Sequence, residues 1–253
     1  MTRCDDPILS LEHVWKAFDR GSQRVPVLED VSFALKSGTI NAVVAGRAQG
    51  KTTLLRVASG TLPPDRGVVI VEGVNVAGVT DSQLRPILAR TIGLAKRSGP
   101  NARLTVREYL DMALTATKEH TARDTSRRTD RALFQYGIAD CRDRYWDDLT
   151  DWQRVLVELA QATITAPRIV LVDDIVDGLS LGKKQAAMDL IEGIVNELRC
   201  AVLMAVSDHA AALRSDQVWQ LKEARLKLMH KDDPGRRGVI DLNGKQTHHT
   251  RTD

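Results

Sequence analysis

Cysteine is scarce in this chain of 253 residues: Cys4, Cys141 and Cys200 are an odd number, far apart and without metal-ligand spacing. A disulfide framework has nothing to build on, and a reducing, cytosolic compartment fits. Long apolar runs are missing too. No segment approaches the roughly 20 apolar residues that span a bilayer, and the start, MTRCDDPILSL, has no apolar stretch of signal-peptide length. Any membrane role is therefore expected to use another chain. Charge of one sign is not in excess: 36 basic and 33 acidic residues leave +3, which gives no expectation of nucleic-acid binding. The basic stretch Arg123 to Arg131 reads as a solvated helix face. No internal repeat is visible, which argues against a solenoid or two fused copies of one unit. At 28.0 kDa the chain can bury a sizeable core, as one large α/β domain or two small ones.

What the chain does have is Asn41 to Val57, NAVVAGRAQGKTTLLRV. The apolar run Ala42 to Ala45 predicts a buried strand, a small Gly-containing loop follows, and Lys51, Thr52 and Thr53 open a helix. Such a loop turns backbone N–H groups inward, the helix start adds positive potential, and Lys51 adds a full charge opposite β and γ phosphates. Thr52 is placed to ligate Mg²⁺. The usual pattern begins with Gly five positions before Gly50, four residues intervening; here that place is Ala45, and Gly46 lies one residue late. A helix starting after a merely flexible turn is the plainer alternative, against which strand, loop and Gly-Lys-Thr-Thr agree.

Along the rest of the chain, strands are predicted at Ile8 to Val14 and Val31 to Leu35, with a turn-rich gap at Asp19 to Arg24. Gly60 to Gly67 reads as a loop, Val68 to Val71 as a short strand, Gly73 and Gly78 as flanks of a further loop, and Ile92 to Ala95 as a strand. From Val106 to about Ala162 the apolar spacing is helical, with loops at Gly137 to Arg144. Ile169 to Val172 is a buried-type strand ending in Asp173 and Asp174. Gly182 to Leu198 is a helix with Leu190, Ile191, Ile194 and Leu198 on one face, and Ala201 to Val206 is the next strand. Val218 to Leu221 and Leu226 to Met229 suggest a hairpin. His230 to Asp253 reads as a polar tail, expected to be disordered.

A phosphate loop near the start, a strand ending in Asp173 about 120 residues later and a helical block between them resemble the nucleotide-binding cassette of ABC transporters. The resemblance covers Ile8 to about Met229, and LTVREYL (Leu104 to Leu110) and LTDWQ (Leu149 to Gln153) fall in the family's order. It implies an α/β P-loop NTPase with a RecA-like core, an antiparallel β subdomain and a helical subdomain inserted at about residues 97–165, all within residues 1–229. It also implies a head-to-tail dimer, with itself or with a second cassette, that sandwiches ATP and serves a separate transmembrane permease. The chain itself would be cytoplasmic, peripheral on the inner face of the membrane. Matching positions imply that Phe18 stacks on the base and that Gly46, Gly50, Lys51, Thr52 and Thr53 hold phosphates. They also imply that Thr52 and Asp173 hold Mg²⁺, that Asp174 activates water, and that Thr150, Asp151 and Gln153 face the opposite nucleotide.

Departures from the family pattern are equally specific. Ala45 and Ala48 remove two glycines at which φ > 0 or close approach costs nothing, so the phosphate nest is expected to be distorted. Arg97 takes the glutamine position; it cannot ligate a cation but can bind a phosphate. Asp151 and Trp152 replace signature glycines, and a carboxylate about 5 Å from a phosphate costs on the order of 3 kcal/mol at an effective dielectric near 20. Asp151 also reads as the N-terminal cap of a helix from Trp152 to Ala166. Asp174 stands where the family has Glu, about 1 to 1.5 Å short, and a 1 Å misplacement can cost about 100-fold. Asp208 takes the switch-histidine position, with His209 next to it as the alternative. Two functions follow: an ABC-type ATPase subunit, slow or dependent on a partner cassette, or a regulatory cassette that binds ATP with little hydrolysis. A kinase or GTPase explains Lys51 but neither LTVREYL nor LTDWQ.

Overall fold

The structure is a computed structural model that describes residues 6–76, 81–207 and 212–231. Its centre is a six-stranded sheet in the order β10-β9-β3-β8-β7-β6. These strands are β3 (Ile40–Val44), β6 (Ile92–Lys96), β7 (Ile169–Asp173), β8 (Ala201–Val206), β9 (Gln217–Lys222) and β10 (Arg225–Lys231). All neighbours run parallel except the β9–β10 hairpin. The inner strands are almost continuously apolar because both faces are covered. Along β8, Ala201, Leu203 and Ala205 enter one core while Val202, Met204 and Val206 enter the other, the period-2 alternation of a strand.

On one face lie α1 (Lys51–Ala58) and a four-stranded antiparallel sheet, ordered β2-β1-β4-β5. It is built from β1 (Leu9–Arg20), β2 (Gln23–Leu35), β4 (Arg66–Val71) and β5 (Val74–Asn75). Leu9, Leu11 and Leu28 of this sheet share a core with Leu54, Leu55, Leu171 and Leu203. The first two strands are longer than their apolar patterns suggest, and the expected gap from Asp19 to Arg24 shrinks to a turn at Gly21 and Ser22. The Asp65 carboxylate stabilises that extension by accepting bonds from Lys16 Nζ (2.9 Å), the Ala17 N–H (2.9 Å) and Arg24 Nη2 (2.8 Å). Burial raises its pKa, but these donors win and hold it at about 2.

On the other face α5 (Asp151–Thr163) and α6 (Leu181–Leu198) pack against the second core through Val155, Leu159, Met188, Ile191 and Ile194. A third core joins α5 to α3 (Val106–Ala116) and α4 (Ala122–Gln135), through Tyr109, Leu110, Leu114, Leu133 and Val157. The segment before β6, left unassigned by periodicity, is the helix α2 (Asp81–Thr91), with Pro86 inside it. Strand β10 runs to Lys231, two residues into the expected tail; residues 232–253 lie outside the described residues.

Candidate nucleotide site

Strand β3 delivers the chain, fully buried, to the loop at residues 45–50. Helix α1 has Gly50 as its N-cap, at φ 97°, and no side-chain hydrogen bond caps its start among the described residues. By contrast, α3 and α5 are closed by Thr105 and Thr150. The first N–H groups of a helix have no partner inside it, so the start of α1 presents donors and positive potential to an anion. Gly50 is required twice, by its φ and because a Cβ there would lie 2.6 Å from Val27 Cγ1. Ala48 takes φ 58° despite its methyl group, a conformation that costs an alanine about 1 to 2 kcal/mol. Ala48 thus holds a left-handed conformation in the loop, and the penalty is held as strain. Gln49 folds back so that its Oε1 accepts the Gly46 N–H at 3.0 Å.

Lys51 is 4% exposed and fully engaged. Its Nζ donates to Ala45 O (2.9 Å), Gly46 O (3.2 Å) and Ser207 Oγ (2.9 Å), and lies 3.3 Å from Asp174 Oδ2. Thr52 Oγ1 donates to Asp173 Oδ1 at 3.1 Å, across 121 positions of sequence. Burial raises the pKa of both carboxyls: the Thr52 hydroxyl opposes this at Asp173, the Lys51 charge at Asp174. Asp174 also sits at φ 52°, with Ser207 Oγ at 3.4 Å from its Oδ1. Phe18, Gly46, Gly50, Lys51, Thr52, Thr53 and Asp174 all line one cavity of about 270 Å³, with Arg20 and Gln49. Phe18 is 38% exposed there, with Lys16 Nζ 5.8 Å from its ring centre. Ser207 and Gln49 were not anticipated; the one available signal for Ser207 was a polar residue directly after a buried parallel strand.

Thr150, Asp151 and Gln153 stand apart from this cavity. Thr150, not Asp151, caps α5: its hydroxyl accepts the Gln153 N–H at 3.3 Å, and Gln153 Oε1 accepts the Thr150 N–H at 3.0 Å. This is a capping box of the T-x-x-Q type. Asp151 is the first helical residue, its side chain 80% exposed and 3.6 Å from Arg154. The helix ends at Thr163 rather than Ala166. Trp152 packs partly buried against the second core. Asp151 lines a different cavity, of about 140 Å³, with Arg97, Glu158 and Asp177. Arg97 follows β6, its N–H donates to Asp173 O at 3.1 Å, and among the described residues its guanidinium makes no hydrogen bond or ion pair. Asp208 and His209 lie outside the described residues.

Comparison with known proteins agrees with this geometry. Residues 28–177 match the family model described as ABC transporter. The chain is 28% identical over 231 residues to the lipoprotein-releasing system ATP-binding protein LolD of Bordetella pertussis, covering 90% of this chain and 99% of that one. It is 30% identical over 203 residues to the methionine import ATP-binding protein MetN of Cutibacterium acnes, covering 80% and 55%. In fold it is similar to the dimeric structure of MJ0796, a bacterial ABC transporter cassette, with TM-score 0.80, 20% identity, and 87% and 96% coverage. Both sheets, the helical block and the loop at α1 thus accompany a family match over more than half of the sequence, and the chain belongs to the ABC transporter family, as an ATP-binding cassette.

Proposed function

We propose that the chain binds Mg-ATP at the α1 loop and serves, as a dimer with itself or with a second cassette, a separate transmembrane permease. The observation that carries this reading is the 3.1 Å contact of Thr52 Oγ1 with Asp173 Oδ1, beside Lys51 and an uncapped helix start. A hydroxyl and a carboxylate are hard oxygen donors suited to Mg²⁺, which commonly takes one or two protein ligands and completes its shell with phosphates and water. Bound there, the ion would neutralise phosphate charge. Lys51 exchanges its bonds to the Ala45 and Gly46 carbonyls for phosphate oxygens, and Phe18 offers a ring face to the base. Asp174 is the group placed to take a proton from water, and its burial-raised pKa suits a general base; His209 is the second candidate for the catalytic set. Thr150, Asp151 and Gln153 face the nucleotide of the opposite cassette. On this reading the permease holds the chain at the inner face of the membrane, from the cytoplasm; none of the helices among the described residues is long and apolar enough to cross a membrane.

The same residues favour slow hydrolysis, and a regulatory cassette is the second reading. Asp174 is short, and its carboxylate is engaged by Lys51 and Ser207. Asp151 places an exposed carboxylate at the start of α5. Measuring ATP turnover of the purified chain, with and without the membrane protein that co-purifies with it, tests both readings. Turnover that rises with the partner supports the transport subunit; tight Mg-ATP binding with no turnover in either state supports the regulatory cassette; no binding refutes both.

A further inference from the structure

Glu158 has no place in the site as described, yet it is the most deeply buried acidic side chain among the described residues, 1% exposed in the middle of α5. Both its oxygens are used. Oε2 accepts the Lys96 N–H at 2.7 Å, at the end of β6, and Oε1 accepts the Tyr109 hydroxyl of α3 at 3.0 Å. The next residue after Lys96 is Arg97. Glu158 therefore ties together the signature helix, the first helix of the α3–α5 block and the strand end from which Arg97 projects. It also lines the cavity of about 140 Å³ that holds Arg97.

We propose that Glu158 is a positioning residue for Arg97: its carboxylate anchors the strand end, and its negative charge draws the guanidinium into the cavity beside Asp151 and Asp177, away from nucleotide phosphates. This rests on the reading that the α1 loop binds Mg-ATP. Arg97 starts within reach of that site, since its N–H donates to the carbonyl of Asp173, and a guanidinium without a partner is suited to phosphate.

The anchor can lose its charge without losing its bonds. The Lys96 N–H can only donate, but a tyrosine hydroxyl rotates and accepts. A neutral carboxyl, or the amide of Gln, therefore satisfies both partners by accepting from Lys96 and donating to Tyr109. Burial pushes Glu158 up to about 7, against the Lys96 N–H bond, the Tyr109 bond and the Lys96 charge, so both charge states are populated near neutral pH. The other charged groups lining the same cavity are Arg154 and Asp151 of α5, Arg97 after β6 and Asp177 after β7. Counting the Lys96 ammonium, whose charge also acts on Glu158, two carboxylates face three cations without Glu158 and three face three with it. Ionised Glu158 tips the balance toward holding Arg97, and neutral Glu158 releases it.

The test is calorimetric affinity for Mg-ATP at pH 6 and pH 8 in the whole chain, for wild type, Glu158→Gln, Arg97→Gln and the double variant. The nucleotide's own titration is common to all four. Glu158→Gln should bind about fivefold more tightly than wild type at pH 8, the size of one partly exposed charge contact, and equally at pH 6. In the Arg97→Gln background the same change should do nothing. A purely structural Glu158 gives the opposite sign, a loss of affinity that persists without Arg97, and that result overturns the proposal. Should Glu158→Gln fail to fold, the advantage of wild type over Arg97→Gln must still shrink from pH 6 to pH 8; a constant ratio overturns the proposal. No binding by wild type at either pH overturns the nucleotide reading and the proposal with it, whereas binding without an Arg97-dependent pH slope overturns the proposal alone.

Discussion

Replacing Lys51 with Met keeps most of the volume of a side chain that is 4% exposed and removes its charge. The Nζ makes three hydrogen bonds, to two carbonyls and the Ser207 hydroxyl, and one ion pair, to Asp174 at 3.3 Å. On nucleotide binding these are exchanged for phosphate contacts. A charge-assisted hydrogen bond is worth about 1.5 to 3 kcal/mol, so Mg-ATP affinity should fall roughly ten- to a hundredfold. Stability without nucleotide should change much less, because a desolvated ammonium is removed together with its bonds and Asp174 can answer by taking a proton. Burial raises the pKa of Asp174 and the Lys51 charge lowers it, so in the variant that carboxyl must titrate at still higher pH. A carboxyl with a raised folded pKa favours the native state most at low pH, and the benefit is lost as pH rises through that pKa. The variant should therefore lose more stability than wild type between pH 4 and pH 7. Titration calorimetry at pH 8, with urea melts at both pH values as the control for folding, measures all three quantities. Unchanged affinity in a folded variant would refute the assignment of Lys51 to phosphate, and an unchanged pH slope would refute its coupling to Asp174.

Phe18→Ala should weaken ATP and GTP alike, since stacking is worth about 1 to 3 kcal/mol per base and reads no particular edge; competition calorimetry showing loss for ATP alone would exclude a simple platform. Asp174→Glu restores reach and should raise turnover up to tenfold or so wherever dimer closure is not limiting, at a small stability penalty because φ 52° suits Asp better than Glu; phosphate release that does not rise in a dimerising sample argues against Asp174 as the base. Asp151→Asn should cost about 0.3 to 1 kcal/mol of helix-end stabilisation yet strengthen ATP-dependent dimerisation, by up to the 3 kcal/mol or so of carboxylate–phosphate repulsion; sedimentation with and without ATP decides it, and equal dimerisation counts against Asp151 facing a nucleotide. Trp152 is unsuited to this test because its indole packs in the second core. For Glu158, with a folded pKa of about 7 against an ordinary 4.5, native stability should decline as pH rises from about 4.5 to 7 and level off above. Glu158→Gln should flatten that decline and gain up to about 3 kcal/mol at pH 8 in urea melts, whereas a parallel pH slope in wild type and variant would show that Glu158 is not the group titrating.

Local patterning carried much of the fold. The apolar runs at β3, β7 and β8 are legible because strands buried on both faces need no polar alternation, and the T-x-x-Q of Thr150 to Gln153 spells a capping box, although the adjacent Asp151 drew the assignment of the cap. The helix α2 was missed because Pro86 interrupts its pattern, a residue that usually ends a helix. Glu158 reads as an ordinary polar residue in an amphipathic helix; nothing near it in sequence announces that Lys96 and Tyr109, 62 and 49 positions away, will enclose it.

From the sequence alone came the loop and its lysine and the carboxylates at the end of β7, since each rests on neighbours within one strand or one turn, and the order of these motifs along the chain gave the class of fold. Tertiary structure alone decided which of these groups meet. Strand β8 lies between β3 and β7, and only the parallel registers β3–β8 and β8–β7 bring Thr52 to 3.1 Å from Asp173. The same packing made Lys51 a partner of Asp174 and Ser207, and walled Arg97 in with Glu158 rather than with the phosphate loop. Such long-range pairs are selected by the simultaneous burial of two sheet faces, a property of the assembled layers that no short window of residues contains.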